Sequence, residues 1–196
     1  MDIVHLDDEL IVVNKPAGLL SVPGRSEPDC AAARVQAQYP EALIVHRLDM
    51  ATSGLLLFAR GADAQRTLSA DFAERRVRKR YVAIVEGSVE AEDWQTIDLP
   101  LIADWPNRPK QKVDTEFGKP SLTRYRSIST QDDQTRLELE PVTGRSHQLR
   151  VHLMSIGHMI VGDMLYGGRP APRLMLHACG LELSGRGLSL ESSPDF

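Results

Sequence analysis

The chain has 196 residues, of which 42% are apolar and 26% are charged, and this composition predicts one globular domain over residues 1–196. No apolar run is long enough to span a membrane, and no signal peptide precedes Asp2. Cys30 and Cys179 lack the spacing of a metal or redox site, so we interpret them as free thiols in a reducing compartment. We therefore expect a cytoplasmic protein, with a monomer as the default.

The charge of the chain is unevenly distributed along the sequence. A net charge of −4 argues mildly against a nucleic-acid partner, because phosphate binding normally requires a basic surface. Two basic clusters oppose that argument: Arg75, Arg76, Arg78, Lys79 and Arg80, and then Arg108, Lys110 and Lys112. Each cluster is either a solvated surface or a basic face on an acidic protein, and the sequence leaves both interpretations open.

The first forty residues predict a hairpin, a fixed loop and a short helix. Ile3–Leu6 and Leu10–Asn14 are short apolar runs on either side of an acidic turn, which is typical of a β-hairpin. Two prolines and two glycines between residues 14 and 24 indicate a fixed loop rather than a linker. Residues 31–38 predict a helix that ends at Pro40.

The stretch Val45–Arg60, V-H-R-L-D-M-A-T-S-G-L-L-L-F-A-R, organises the rest of the chain. Leu55–Ala59 is unbroken and apolar, as in a strand buried on both faces, and Gly54 indicates a tight turn or a close backbone approach. Asp49 is then expected on a loop at the edge of the core, where a carboxylate needs a cation or several donors. By itself, H-R-L-D is also compatible with a simple salt bridge in a loop.

The middle of the chain predicts a helix, a strand and a long loop. Asp63–Arg76 has an apolar stripe every four residues and arginines at its C-terminal end, where the helix dipole favours them. Arg78–Val85 alternates as a strand with Tyr81 on the same face as Ala83. Residues 104–120 are expected to be irregular. Within them, Trp105 either stacks on a base or, as we prefer, fastens the loop to the core.

The last third predicts another strand, a helix and a terminal hairpin. Thr135–Glu140 alternates cleanly, and residues 181–190 form two short apolar runs around Gly185-Arg186-Gly187. With few helices among these hairpins, the fold class is α+β with a mixed, mainly antiparallel sheet.

The segment 145–156 is expected to be a helix terminated by Gly157. Arg145 precedes Leu149 by four residues and would extend an inward stripe, so it needs an anion, and Asp49 is the candidate. The alternative is that Arg145 lies in the turn and reaches solvent or pairs with Glu138 or Glu140.

No metal or cofactor is predicted. His147 and His152 are five residues apart and do not share a helix face as a metal-binding pair would. Phosphate-binding and dinucleotide motifs are absent, and an aspartate paired with an arginine differs from the two carboxylates of glycoside hydrolases.

The segment H-R-L-D-x-x-T-S-G, residues 46–54, resembles the central motif of the RluA-type RNA pseudouridine synthases. Further matches follow in register: Lys15-Pro16-x-Gly18, Lys79-Arg80-Tyr81, Lys119-Pro120, T-G-R-S-H-Q-L-R at 143–150, and R-L-M-L-H-A at 173–178. The resemblance implies the pseudouridine synthase fold, with flanking helices and loops around a central RNA-binding cleft. It also implies isomerisation of uridine to pseudouridine in RNA, without a cofactor.

Residue roles follow from the resemblance alone. It implies Asp49, Tyr81 and Arg145 as catalytic residues, with Arg145 paired to Asp49 and Tyr81 lining the uridine pocket. Arg47 would enter the space vacated by a flipped uridine, and Leu174 would pack against the base. The remaining predicted contacts with RNA are His46, Lys15, Arg78, Lys79, Arg80, Arg108, Lys110 and Lys112.

Residues 14–25, 46–54 and 99–113 are similar to those of family members with two substrates, 23S ribosomal RNA and a tRNA anticodon stem-loop. The chain starts at the first strand, so an N-terminal S4 domain is not expected, and the terminal hairpin after Ala178 is shorter than the family pattern. A single-substrate synthase, a non-catalytic RNA-binding module and a hydrolase of N-glycosidic bonds remain the alternatives.

Overall fold

The computed structural model describes all residues from Met1 to Phe196. The chain forms two compact units, the first built from Met1–Arg78 and Ala178–Asp195 and the second from Lys79–His177 with Phe196. No helix has the length and hydropathy that a membrane span requires. Cys30 and Cys179 are free thiols, as predicted.

Twelve strands and three α-helices make up the chain. The strands are β1 Asp2–Leu6, β2 Leu10–Lys15, β3 Ala42–Ile44, β4 Ser53–Arg60, β5 Val77–Glu86, β6 Gln95–Asp98, β7 Leu101–Ala103, β8 Gln111–Val113, β9 Leu122–Gln131, β10 Gln134–Pro141, β11 Leu176–Leu183 and β12 Leu188–Glu191. The helices are α1 Ala31–Gln36, α2 Ala62–Ala73 and α3 Gln148–Ser155, with 3₁₀ turns at Trp105–Asn107 and Ser184–Arg186. This composition confirms the predicted α+β class.

The first unit is a sheet with strand order β1-β2-β4-β11, to which β3 adds on β4 and β12 adds on β11. Seven consecutive residues of β4, from Ser53 to Ala59, are buried, which confirms the predicted strand buried on both faces. Leu55, Leu57 and Leu68 join residues of β2 and β11 in one apolar cluster. The hairpin β1–β2, helix α1 and the terminal hairpin β11–β12 also form as predicted.

Helix α2 is shorter than its sequence pattern indicates. Its apolar stripe is confirmed, because Leu68 is buried and Ala64 and Phe72 pack against the same cluster. The helix ends at Ala73, however, with no basic residue in its last turn. Arg75 lies beyond it at a φ of 61°, and Arg76 pairs with Asp71 at 2.8 Å. The predicted stabilisation of the helix dipole by these arginines is therefore wrong.

The second unit contains a sheet with strand order β5-β10-β9-β6 and a separate hairpin, β7–β8. The pairings β5–β10, β10–β9 and β9–β6 are antiparallel. Burial alternates at every residue of β10, as predicted. The expectation of an irregular segment at 104–120 is wrong for Gln111–Val113, because these residues form β8 and pair with β7. A strand of three residues is too short for an alternating pattern to be recognised.

Candidate active site

Asp49 lies on the loop that leads into β4. Near the start of that strand, Gly54 packs closely against the backbone of Ala178. Asp49 is half-buried and Arg47 is exposed, while the Asp49 carbonyl accepts the Thr52 N–H at 3.1 Å. Gly54 has a φ of 112°, and a Cβ at this position would overlap the backbone of Ala178. Both facts require glycine, which confirms the predicted close approach and fixes where the loop ends.

Lys15 anchors this loop from within the core. It is 0% exposed, and its Nζ donates to the carbonyls of Pro16 at 2.9 Å, Leu19 at 2.7 Å and Met50 at 3.2 Å. Three acceptors match the three donors of an ammonium group. Lys15 thus ties the loop after β2 to the residue that follows Asp49, and its contact with the substrate stays a prediction.

Two further anchors hold the same loop. The Leu57 N–H donates to Nε2 of His46 at 3.0 Å, and the His46 ring stacks on Phe72 with centroids 4.5 Å apart. Ser21 Oγ donates to the Leu48 carbonyl at 2.7 Å and accepts the Leu48 N–H at 3.0 Å. The His46 ring therefore supports the loop by contacts with β4 and α2, and its contact with the substrate stays a prediction.

Arg145 lies in a turn and not on a helix. Helix α3 begins at Gln148, and His147 before it is left-handed with a φ of 53°. Arg145 is exposed, so the prediction that it extends the inward stripe of Leu149 and Leu153 is wrong. The alternative that placed Arg145 in the turn is the correct one, and its predicted pairing with Asp49 then rests on the motif resemblance alone.

A buried amide shapes the Arg145 turn. Gln148 is buried, and its Oε1 accepts the Arg145 N–H at 3.0 Å and the Thr143 hydroxyl at 2.7 Å. Its Nε2 donates to the Leu122 carbonyl at 2.9 Å and to Thr123 Oγ1 at 3.0 Å. All hydrogen-bonding capacity of this side chain is in use, so Gln148 fixes the backbone that presents Arg145.

A further set of hydrogen-bonded polar side chains, referred to below as the polar layer, includes residues of α3. Arg150 and Asp163 are buried and form a bidentate pair with both distances 2.7 Å. Tyr166 Oη lies 2.7 Å from His147 Nδ1 and accepts the Gln111 N–H at 2.8 Å. This layer connects α3 to the hairpin β7–β8.

His152 completes this layer. Its ring nitrogens contact Thr123 Oγ1 and the Leu99 carbonyl, each at 2.9 Å, and burial lowers its pKa from the ordinary value. Sequence reasoning did not predict the buried structural roles of these residues, because hydrophobic periodicity does not detect buried polar groups.

The other predicted residues belong mainly to the second unit. Tyr81 is half-buried on β5 opposite Leu139, and Leu174 is buried. Several cations of the two basic clusters lie near carboxylates: Arg78 near Glu182 at 3.4 Å, Arg80 near Glu138 at 3.7 Å and Lys112 near Asp114 at 3.8 Å. Asp49 and Arg47 lie in the first unit, and Tyr81, Arg145 and Leu174 lie in the second. Substrate roles for these residues stay predictions.

Chemically, the first unit presents a half-buried carboxylate on a loop held by Lys15, Ser21 and His46, two residues from an exposed arginine. The second presents an exposed arginine on a turn held by Gln148. No group of three or more His, Cys, Asp or Glu side chains is arranged to hold a metal ion. The residues predicted to be catalytic or to replace the flipped uridine are thus one acid, two cations and an aromatic ring.

Comparison with known proteins identifies the family of the chain. The sequence model of the RNA pseudouridylate synthase family matches residues 9–155, and the chain belongs to this family, which isomerises uridine in RNA to pseudouridine. The dual-specificity RNA pseudouridine synthase RluA of Escherichia coli K12 is 48% identical over 205 aligned positions, covering 99% of this chain and 93% of the relative. The RluA of Yersinia pestis is 52% identical over 185 positions, covering 91% and 89%.

A solved structure supports the same assignment. The human protein RNA pseudouridylate synthase domain containing 1 superposes with a TM-score of 0.82 at 30% identity, covering 98% of this chain and 82% of that one. The predicted pseudouridine synthase fold is therefore confirmed.

Proposed function

We propose that this enzyme has two RNA substrates, 23S ribosomal RNA and the anticodon stem-loop of a tRNA. The observation that carries the proposal is the 48% identity to a dual-specificity relative over 99% of the chain. The segment 99–113 and the loops around Lys15 and Asp49 also resemble those of two-substrate members. A synthase restricted to one of these RNAs is the alternative.

In the proposed mechanism the target uridine leaves the base stack, because its glycosidic bond is inaccessible inside folded RNA. Asp49 then attacks C1′ or removes a ribose proton, and the N1–C1′ bond breaks. The uracil stays bound, turns and forms a C5–C1′ bond, while the Asp49–C1′ bond breaks or, on the other route, the abstracted proton returns to the ribose. The C5 hydrogen leaves as a proton and N1 gains one, so the product is an isomer and no cofactor is consumed.

The other predicted residues assist this step. Arg145 pairs with the Asp49 carboxylate and orients it; the turn built by Gln148 supports this role. Tyr81 stacks on the base and accepts the C5 proton, and Leu174 packs near it. Arg47 fills the space that the uridine leaves, which is consistent with its exposed position.

The basic clusters supply phosphate contacts in this proposal. Arg78, Lys79 and Arg80 form one set, and Arg108, Lys110 and Lys112 form the other. Several of these cations lie near carboxylates, so an RNA phosphate must compete with those carboxylates for the cation. Such competition is feasible because exposed ion pairs are weak. A single catalytic domain, a monomeric state and a cytoplasmic location complete the proposal.

Release of tritium from C5-labelled uridine tests the substrate assignment, with tRNA and 23S ribosomal RNA transcripts assayed separately. Release from both transcripts is expected. Release from only one would establish the single-substrate alternative. The same reactions are analysed for free uracil, because uracil without pseudouridine would identify a hydrolase and overturn the proposal. No release of tritium and no uracil, with intact RNA binding, would leave a non-catalytic RNA-binding module.

Arg47→Ala tests the proposed filling of the vacated space. Turnover should fall by much more than RNA affinity, because the side chain acts only after the uridine has moved. Affinity is measured by filter binding and turnover by tritium release at saturating RNA. Unchanged turnover would remove Arg47 from the mechanism without affecting the assignment of Asp49.

A further inference from the structure

The tip of the hairpin β7–β8 carries an exposed aromatic side chain with a cation on its face. Trp105 is 66% exposed, and the guanidinium carbon of Arg108 lies 3.5 Å from the centroid of its ring. With Arg108 covering one face of the indole, this exposure leaves the opposite face open to solvent. The preferred expectation that Trp105 fastens the loop to the core is therefore wrong.

This tip is held in place by hydrogen bonds at its base. The Asp104 N–H donates to the Lys110 carbonyl at 2.9 Å, and the Lys110 N–H donates to the Asn107 carbonyl at 3.0 Å. Asn107 Nδ2 donates to Asp104 Oδ2 at 2.9 Å. The Gln111 N–H reaches Tyr166 Oη in the polar layer behind α3. The exposed Trp105 is thus presented on a fixed frame.

The charge around Trp105 favours a nucleic-acid ligand. Residues 105–113 contain three cations and no acidic side chain, and the nearest carboxylates, Asp104 and Asp114, accept hydrogen bonds from their own turns. A guanidinium stacked on a ring keeps its in-plane N–H donors, which suit a phosphate oxygen. An open indole face beside such a donor matches a base and its adjoining phosphate.

Other exposed or arginine-contacting side chains lack this combination. Trp94 also lies near two guanidinium groups, those of Arg124 and Arg126, but Trp94 is half-buried and both arginines are ion-paired with glutamates of β10. Phe117 is 68% exposed, yet the ring has no recorded contact with a cation. Tyr39 and Phe196 also contact arginines but are half-buried, so of the two exposed aromatic rings only that of Trp105 has an arginine on its face.

We propose that Trp105 and Arg108 form a stacking site for an unpaired RNA base other than the uridine that is isomerised, with Arg108 also contacting the adjoining phosphate. This inference rests on the proposed function, since it assigns part of the RNA substrate to the hairpin tip. Stacking on an aromatic side chain is tolerant of base identity. Such a site therefore lets one enzyme hold loops of different sequence.

Kinetics provide the first test. Trp105→Ala should raise KM for the stem-loop substrate about 5- to 100-fold, the effect of removing one stacked aromatic, and leave kcat nearly unchanged. Trp105→Phe should recover most of the affinity. Phe117→Ala is the matched control, because it removes an aromatic ring of similar exposure and should change neither constant. A KM unchanged by Trp105→Ala would overturn the proposal.

Fluorescence provides a test that does not depend on catalysis. In a Trp94→Phe variant, Trp105 is the remaining one of the two tryptophans. An unlabelled stem-loop with unpaired bases should quench its emission, and a blunt duplex of the same stem should quench it much less. Quenching without tritium release would retain the stacking site and remove the proposed function. Tritium release without quenching would retain the proposed function and remove the stacking site.

Discussion

The Asp49 loop and the Arg145 turn are both held by hydrogen bonds, but these bonds are arranged differently in the two regions. The Asp49 loop lies against an apolar strand and is held at separate points: Lys15 and Ser21 bind its backbone, and its own His46 ring accepts the Leu57 N–H of β4. The Arg145 turn is fixed by a continuous polar network in which Gln148, Thr123 and His152 share hydrogen bonds. Separate anchors fail one at a time, whereas members of a network fail together.

The two regions should therefore respond differently to the loss of one hydrogen-bonding side chain. Loss of one anchor of the Asp49 loop leaves β4 and its apolar packing intact. Loss of one member of the network leaves buried polar atoms without partners, and that penalty is large in a low-dielectric interior. The stability of variants should therefore separate the two regions.

The largest effect is expected for Asp163→Asn. It leaves the buried charge of Arg150 without its counter-ion, and breaking a buried pair in this way costs about 3–5 kcal/mol. Urea unfolding monitored by circular dichroism measures the loss. The double variant Arg150→Met with Asp163→Asn should be less destabilised than the sum of the single changes, and strict additivity would contradict the coupling.

A smaller effect is expected for Lys15→Met, which keeps the length of the side chain and removes the ammonium. Three carbonyls then lose a donor, of which that of Leu19 is buried, and an unsatisfied buried group costs about 1–3 kcal/mol. Turnover should fall as well, because the Met50 carbonyl adjacent to Asp49 loses one of its two donors and keeps only the Gly18 N–H. Lys119→Met is the control, since Lys119 is exposed. Equal stability of the two variants would remove the structural role of Lys15.

The smallest effect is the pH dependence contributed by His152. Burial lowers its pKa in the folded protein, whereas the unfolded chain titrates near the ordinary value of 6.5. Below that pH the unfolded state binds more protons, so the free energy of unfolding decreases as the pH falls towards the folded pKa. Denaturant titrations at several pH values should give a shallower dependence for His152→Gln. An unchanged dependence would exclude His152 as its source.

The sequence predicted the first of these regions better than the second for a physical reason. Leu55–Ala59 is a pure apolar run, so a strand buried on both faces and the adjoining loop follow from hydrophobicity alone. Helix α3 buries Arg150, His152 and Gln148 among its apolar residues. A hydrophobic pattern treats such residues as exposed, and the start of the helix and the position of Arg145 were predicted wrongly for that reason.

Two side chains reversed their expected environments. Lys15 can be buried because three carbonyls accept hydrogen bonds from its Nζ. One of them belongs to Met50, which is distant in the sequence, so the sequence does not reveal this set of acceptors. Trp105 is exposed because its ring packs on Arg108 instead of on the core. Hydrophobicity favoured the opposite placement for both residues, and only side-chain contacts formed in the fold decided otherwise.

Replacement of Asp49 by asparagine is the most direct test of the assigned chemistry. The change preserves shape and removes the carboxylate, so tritium release from C5-labelled RNA should fall to the background rate while RNA binding and urea unfolding stay close to those of the unmodified protein. Asp8→Asn, in an exposed turn of the same unit, should retain full activity. A folded Asp49→Asn protein that forms pseudouridine at the native rate would contradict the account.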